Sequence, residues 1–469
     1  MTAREHEDAA YFEERQLRSG VAGWVLLAGL GVAYVISGDF AGWNFGLAEG
    51  GWGGLLVATI IMGVMYLCMV LGLAEMSSTI STAGGGYGFA RRALGPWGGF
   101  LTGTAILIEY AIAPAAIANF IGAYVDSLVG IDGPLVFAVF YLVFIGLHLW
   151  GVGEALKLMF AITAIAVVAL LAFVVAAALK FDAGNLVDIA PTDAAGASDF
   201  LPFGLIGIWA ALPYAIWFFL AVEGVPLAAE ETKDPARSMP RGIIAAMVTL
   251  LCFAALILLV APGAAGADSL RESGNPLVDA LETAYGGSTA VSTFVNVVGL
   301  LGLIASFFSI IFAYSRQTFA LSRAGYLPKV LSRTGSRKTP YLALIVPGII
   351  GFVMAMLNEG DLLILVAVFG ATISYVLMTL SHIVLRIREP ELERPYRTPG
   401  GIVTTGIGFV LACVAVVAGF FVDSTAVLVT AGVFAVAIAY FALYSRHHIV
   451  AGAPEEEFAA IEDAEKGLS

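Results

Sequence analysis

Three carboxylates stand in surroundings where a charge is expensive. Asp39 lies in Ser37-Gly38-Asp39-Phe40-Ala41-Gly42-Trp43-Asn44, Glu223 in Leu220-Ala221-Val222-Glu223-Gly224-Val225-Pro226, and Glu109 beside Tyr110, about one turn before Pro114. Each is flanked by long apolar runs. A lone acid at the centre of a bilayer costs roughly 2.5–3.5 kcal/mol on insertion scales, so a return in function or structure is expected. Three kinds of chemistry suit such a group: holding a cation, carrying a proton, or accepting an N–H at a helix start. Glycine and proline beside Asp39 and Glu223 weaken the helix there, which frees backbone N–H and C=O groups for a ligand. Aromatic residues gather nearby: Trp43, Trp209, Tyr214, Trp217, Phe218 and Phe219, with Phe307, Phe308 and Phe312 further along. A compact cation gains about 0.5–2 kcal/mol over an aromatic face, although membrane aromatics also serve as packing and interfacial belts. Trp217 and Phe218 are the first of these to test.

The elements that must position these residues are membrane helices. Of 469 residues, 59% are hydrophobic and only 13% charged, and mean hydropathy is +0.91. That is too few charges to clothe a water-facing surface. Apolar runs of about 18 residues or more recur along the whole chain, each long enough to cross the ~30 Å hydrocarbon core. The approximate spans are 20–47, 51–76, 97–124, 134–150, 157–179, 203–229, 241–263, 288–315, 341–357, 361–385, 401–421 and 424–445. The chain is thus expected to be all-α and polytopic, with about twelve spans. About twenty polar residues precede the first apolar run, which is too long for a cleavable signal, so that run is expected to stay as the first span. With the N-terminus inside, Arg91, Arg92, Lys157, Lys233, Arg237, Arg241, the basic residues of 316–338 and those of 386–397 all fall inside, against only Lys180 and Arg271 outside. Both termini are therefore expected in the cytoplasm and the protein in the inner (plasma) membrane. The net charge of −13 is concentrated in the tails, at Glu5, Glu7, Asp8, Glu13 and Glu14 and at Glu455, Glu456, Glu457, Glu462, Asp463 and Glu465. These runs read as solvated termini, and with no basic stripe nucleic acid is not an expected partner.

The domain plan follows. Residues 1–19 form a cytoplasmic tail, 20–445 the transporter domain, and 446–469 an acidic cytoplasmic tail. An Asp/Gly/Ala/Thr-rich loop at 180–202 divides five spans (20–179) from five more (203–385), with two accessory helices at 401–445. An odd number of spans per half sends the second half into the membrane upside down, which is the arithmetic of an inverted repeat. The interrupted helices then fall in matching places, at the first and sixth spans. Matched interruptions are the best sequence pointer to a secondary-transporter site, although each alone could be a packing kink.

Four further stretches carry a resemblance. Residues 75–96 (EMSSTISTAGGGYGFARRALGP), 230–241 (EETKDPARSMPR), 320–328 (ALSRAGYLP) and 394–399 (RPYRTP) are similar, in order, to signatures of the amino acid–polyamine–organocation (APC) superfamily. The resemblance covers nearly the whole chain. It implies a 5+5 inverted-repeat core with broken helices 1 and 6, two extra helices, and alternating access. Gly84–Gly86 are expected to serve backbone turns. Glu230, Glu231 and the nearby Lys233 and Arg237 are expected to make cytoplasmic ion pairs, each worth little if exposed.

Amino-acid members of that superfamily hold the substrate carboxylate on the unwound first span through a small neutral pattern. Here the stretch is Ser37-Gly38-Asp39, and an ionised Asp39 would repel a carboxylate and attract an ammonium group. Residues 34–52 (YVISGDFAGWNFGLAEGGW) and 151–159 (GVGEALKLM) are similar to the ethanolamine permease branch. That resemblance implies ethanolamine as substrate; the residues support only its charge. The expected substrate-binding residues are Ser37, Gly38, Asp39, Phe40, Trp43, Trp217, Phe218, Ala221, Glu223 and Phe308, and the proton-coupling candidates are Asp39, Glu109 and Glu223. The alternative is a permease for neutral or cationic amino acids on the same scaffold. Coupling to protons is expected. Residues 164–170 (AIAVVAL) lack the deep lysine that replaces sodium in some relatives, and Ser306 and Ser309 offer hydroxyls to a sodium ion or to helix packing. An enzyme is not expected: His148, His382, His447 and His448 lie at span edges or in the tail, and His6 is terminal. Cys68, Cys252 and Cys413 lie singly in apolar runs, so no metal and no cofactor is expected. No feature of the sequence sets an oligomeric state.

Overall fold

The computed structural model describes residues 11, 14, 15, 17, 20, 22–150, 152–357, 360–450, 453, 454 and 456, without the side chains of 152–156 and 421. The acids of the tails other than Glu14 and Glu456, together with His6, lie outside the described residues, as do Gly151 and the side chains of 152–156.

The described chain is predominantly helical, with irregular connections such as 188–203 and 389–401. The helices are α1 (Trp24–Val35), α2 (Ser37–Phe40), α3 (Phe45–Thr79), α4 (Gly86–Val129), α5 (Pro134–Trp150), α6 (Val152–Ala178), α7 (Gly204–Trp217), α8 (Pro235–Ala265), α9 (Ala267–Leu270), α10 (Pro276–Tyr285), α11 (Ala290–Arg323), α12 (Tyr341–Leu357), α13 (Gly360–Arg388), α14 (Ile402–Val422) and α15 (Ser424–Leu443). A 3₁₀ segment runs over Val222–Glu231. Among the described residues nine helices are long and apolar enough to cross a membrane, and three shorter apolar ones (α1, α5 and α12) complete the twelve expected positions. The chain is an all-α, multi-pass membrane protein. Hydrocarbon offers no hydrogen bonds, so only such self-satisfied segments suit it.

Glycine sets the boundaries inside two of the long helices. In α3 Gly51 turns to φ +64°, which ends the first span and starts the second where the sequence placed them. In α4 Gly95 takes φ +78° ahead of Pro96. Residues 86–94 are therefore a separate short helix, and the third span begins at 96. An L side chain is strained at such angles, and glycine is not.

Packing brings the interrupted first span to the centre. α1 lies against α8, α2 against α11, α4 against both α13 and α11, and α3 against α7 and α8. α15, by contrast, is exposed along most of its length. Close approach is made possible by small residues: a Cβ on Gly31 would lie 2.6 Å from Ala246 Cβ, and one on Gly242 2.6 Å from Leu27 Cβ. In membranes, helices are held by such contacts rather than by a hydrophobic drive between them.

The arginine-rich end of the bundle is tied more strongly than the sequence suggested. Glu231 is not in an exposed pair with Lys233 or Arg237: it is 1% exposed and accepts from Arg316, also 1% exposed, at 2.6 and 3.2 Å. Glu230 pairs with Arg323 and accepts from Ala83 N at 2.9 Å. Arg237 instead lies 4.0 Å from Asp234, both exposed. The expectation failed because span 8 carries its two arginines inward, where sequence spacing did not look. Ala22 N donates to Glu231 O, and Lys233 N to Ala22 O, so the start of α1 is pinned beside these pairs. Glu75 gathers Arg386 at 2.7 and 2.6 Å, Arg394 at 2.9 Å, and Thr398 N at 2.7 Å.

Candidate functional site

The first interruption spans residues 36–44. Ile36 N still donates to Val32 O, α2 makes one turn, and Ala41 swings to extended backbone at φ −159°. Gly42 follows at φ +93°. The carbonyls released by this break are taken up by side chains from other helices. Ser306 donates to Tyr34 O at 2.7 Å, Tyr124 to Phe40 O at 3.1 Å, and Trp217 Nε1 to Ala41 O at 3.0 Å. Ser37 and Ser306 share a further hydroxyl bond of 2.8 Å. A break buried in protein survives only if its backbone is paid for in this way.

The second interruption lies alongside. α7 ends at Trp217, Ala221 adopts the left-handed φ of +78°, and the 3₁₀ segment begins. A Cβ on Gly38 would lie 2.5 Å from Trp217 O, and one on Gly42 2.6 Å from Trp217 Nε1. The two broken helices therefore touch backbone to backbone, and glycine is required at both positions. Trp43 stacks on Phe218 with centroids 5.8 Å apart. Ser37, Gly38, Asp39, Phe40, Trp43, Trp217, Phe218, Ala221 and Glu223 are all buried.

Asp39 is the group this arrangement leaves unanswered. It is 0% exposed, and among the described residues neither carboxyl oxygen has a hydrogen-bond partner. The indole N–H of Trp43, also buried, is unpartnered in the same sense. Burying a polar group without a partner costs several kcal/mol, and a charge costs more. The break thus keeps one carboxyl and one N–H donor in reserve.

Glu109 and Glu223, read separately from the sequence, come together. Both are buried, at 0% and 2% exposed, and they lie close enough to act on each other electrostatically, while among the described residues neither Glu109 oxygen nor Glu223 Oε2 has a hydrogen-bond partner. Tyr110 donates to Glu223 Oε1 at 2.9 Å, and Tyr66 to the Tyr375 hydroxyl at 2.8 Å. A Cβ on Gly224 would meet Tyr110 and Tyr34. This is a carboxyl pair in a tyrosine cage immediately after the second break.

Several expected residues lie elsewhere. Trp209 is 39% exposed and shares an apolar groove with Phe409, Val410 and Cys413, away from the breaks. Its run of aromatic neighbours in sequence masked the helix face on which it lies. Phe308 stacks on His148 at 4.0 Å, and its carbonyl meets His148 Nε2 at 2.8 Å. His148, in the last turn of α5, is accordingly a buried packing partner at the edge of its span. Ser309 bonds back to Ser306 O in its own helix at 2.9 Å. Asn44, Tyr124, Tyr66 and Tyr375 are the contributors that sequence reasoning missed. Asn44 alone carried a signal, as an amide at membrane depth beside two glycines.

Comparison with known proteins decides the family. The amino acid permease family model matches residues 24–450. The chain belongs to that family. It is 31% identical over 403 residues to an uncharacterized transporter of Rhizobium meliloti (strain 1021), covering 83% of this chain and 84% of the relative. It is 28% identical over 391 residues to the methylthioribose transporter of Bacillus subtilis (strain 168), covering 78% and 79%. It is 25% identical over 433 residues to a branched-chain amino acid permease of the same organism, covering 86% and 89%. The protein is thus a transporter of the amino acid permease family, and the interrupted helices fall inside the matched region.

Proposed function

We propose that the transporter carries a small amine cation without a carboxylate, with ethanolamine as the first candidate, by alternating access between two inverted five-helix repeats. The observation that carries the reading is Asp39, a buried acid at the break with no protein partner among the described residues. An ammonium group would satisfy it, whereas a substrate carboxylate beside it would meet like charge. Trp43 Nε1 offers a donor to a hydroxyl oxygen, the second polar group of ethanolamine. Phe218, stacked on Trp43, adds an aromatic face for the cation. The orientation with both termini in the cytoplasm of the inner membrane, and the domain plan 1–19, 20–445 and 446–469, belong to the same reading.

Import is proposed to be proton-coupled through Glu109 and Glu223. Two neighbouring carboxyls at apolar depth disfavour a second charge, so the pair is suited to taking up and releasing one proton. Tyr110 and Tyr375 provide hydroxyls on which that proton can be passed.

A second reading, an amino-acid permease, is favoured by the branched-chain permease among the relatives. Competition for uptake in proteoliposomes separates the two. Ethanolamine should outcompete alanine, leucine and arginine, with external alkalinisation and no sodium requirement. The reverse ranking would sink the amine reading, and strict sodium dependence the coupling.

A further inference from the structure

Asn44 closes the first break, and it spends its whole amide on two other pieces of chain. Its Oδ1 accepts from Gly42 N at 3.1 Å. Its Nδ2 donates to Leu270 O and to Ser273 O, each at 2.8 Å. Asn44 is 0% exposed. The carbonyls it holds belong to the end of α9 and the turn that follows, more than 220 residues away in sequence. That turn leads into α10, and residues 266–289 form the connection between α8 and α11.

The α9–α10 hairpin is built to sit as one piece. Ala267, Leu270, Leu277, Val278 and Leu281 are buried. Ser273 donates to Asp279, and Asn275 N to Ser273 Oγ at 3.0 Å. Asn44 is therefore a peg between a rigid hairpin and the backbone of the break. The fit is specific to the amide. Aspartate has the same shape but would set carboxylate oxygens against two carbonyl oxygens. Serine can still accept from Gly42 N, but it is too short to replace both donations.

We infer that Asn44 is a positioning residue that couples the conformation of the break to the seating of the 267–285 hairpin, so that rearrangement of Ser37–Trp43 around a substrate is felt at the hairpin. Gly42 is bonded to the Asn44 oxygen, and it is also the residue whose positive φ turns the chain. Any change in that turn moves the amide and with it both hairpin bonds. The inference rests on the proposed site at the break, but not on which substrate fills it.

The test is thiol labelling of the purified full-length chain in detergent. Cys68, Cys252 and Cys413 are replaced and Leu270→Cys is added, since Leu270 is 0% exposed. Labelling with N-ethylmaleimide should be slow in this parent, and about tenfold faster in N44D and N44S, the scale expected for losing two modest hydrogen bonds. Ethanolamine should change the labelling rate in the parent and leave both variants unmoved. A version that keeps only the native, buried Cys68 should label slowly with or without the Asn44 substitution, which separates release of the hairpin from general loosening. If N44D does not fold, N44S carries the comparison. Equal rates in parent and variants, or loss of thermal stability with Leu270→Cys still protected, would overturn the inference. Failure of ethanolamine to stabilise the parent would instead count against the proposed substrate, and the ligand-free rates would still decide the role of Asn44.

Discussion

At the scale of the residue, the break is defined by what its neighbours leave over. Tyr34, Phe40 and Ala41 each have a carbonyl answered by a side chain from another helix, while the Asp39 carboxyl and the Trp43 indole N–H have no partner among the described residues. If Trp43 reads the substrate hydroxyl, W43F should erase the preference for ethanolamine over ethylamine. A site built around a hydroxyl discriminates strongly against the analogue that lacks it, so a loss of tenfold or more in the ratio of inhibition constants is expected. An unchanged ratio, measured by competition uptake, would remove Trp43 from substrate recognition. Sequence made Asp39 legible because an acid between glycines in an apolar run has few bland explanations. It grouped Trp209 with the aromatics beside the breaks, since nothing in a string of aromatics says which face of α7 each one takes.

At the scale of the element, two interrupted helices share one backbone contact. Gly38 meets Trp217 O so closely that a methyl group would lie 2.5 Å from it, and a carbonyl in a buried turn cannot swing away as a side-chain tip can. G38A should therefore push α2 and the end of α7 apart and abolish uptake, with the protein still inserted in the membrane. Gly406, in α14, has nothing within 4 Å of its would-be Cβ, and G406A should transport like the parent and be slightly more stable through helix propensity. Equal activity of the two variants would contradict the contact. The positions of the breaks were legible from Gly38, Gly42, Gly224 and Pro226. That they touch was not, because spans 1 and 6 are separated by some 180 residues and only packing joins them. The same gap hid the pairing of Glu109 with Glu223 and the reach of Asn44 to Leu270.

At the scale of the whole molecule, closure at the arginine-rich end rests on buried ion pairs. Glu231 and Arg316 are both about 1% exposed. Removing one partner of such a pair strands the other charge, at a cost of roughly 3–5 kcal/mol. E231Q should thus unfold at a markedly lower temperature in detergent, and D234N, which replaces an exposed carboxylate 4.0 Å from an exposed Arg237, should not. A matching stability for both would mean that the Glu231 pair carries little. The number and order of helices were readable because hydrocarbon length and hydropathy fix them. The depth of the arginines was not readable, since Arg316 lies in the last two turns of α11, where sequence alone suggests an exposed cationic end.

The central claim is that Asp39 selects an amine cation without a carboxylate. Ligand-induced thermal stabilisation of the purified protein, across a panel of ethanolamine, ethylamine, alanine, leucine, serine and arginine, tests it most directly when the parent and D39N are run together. Ethanolamine should raise the unfolding temperature of the parent more than any amino acid, and D39N should fold but lose that response. Stabilisation by leucine or alanine without ethanolamine, or an ethanolamine response that survives in D39N, would contradict it.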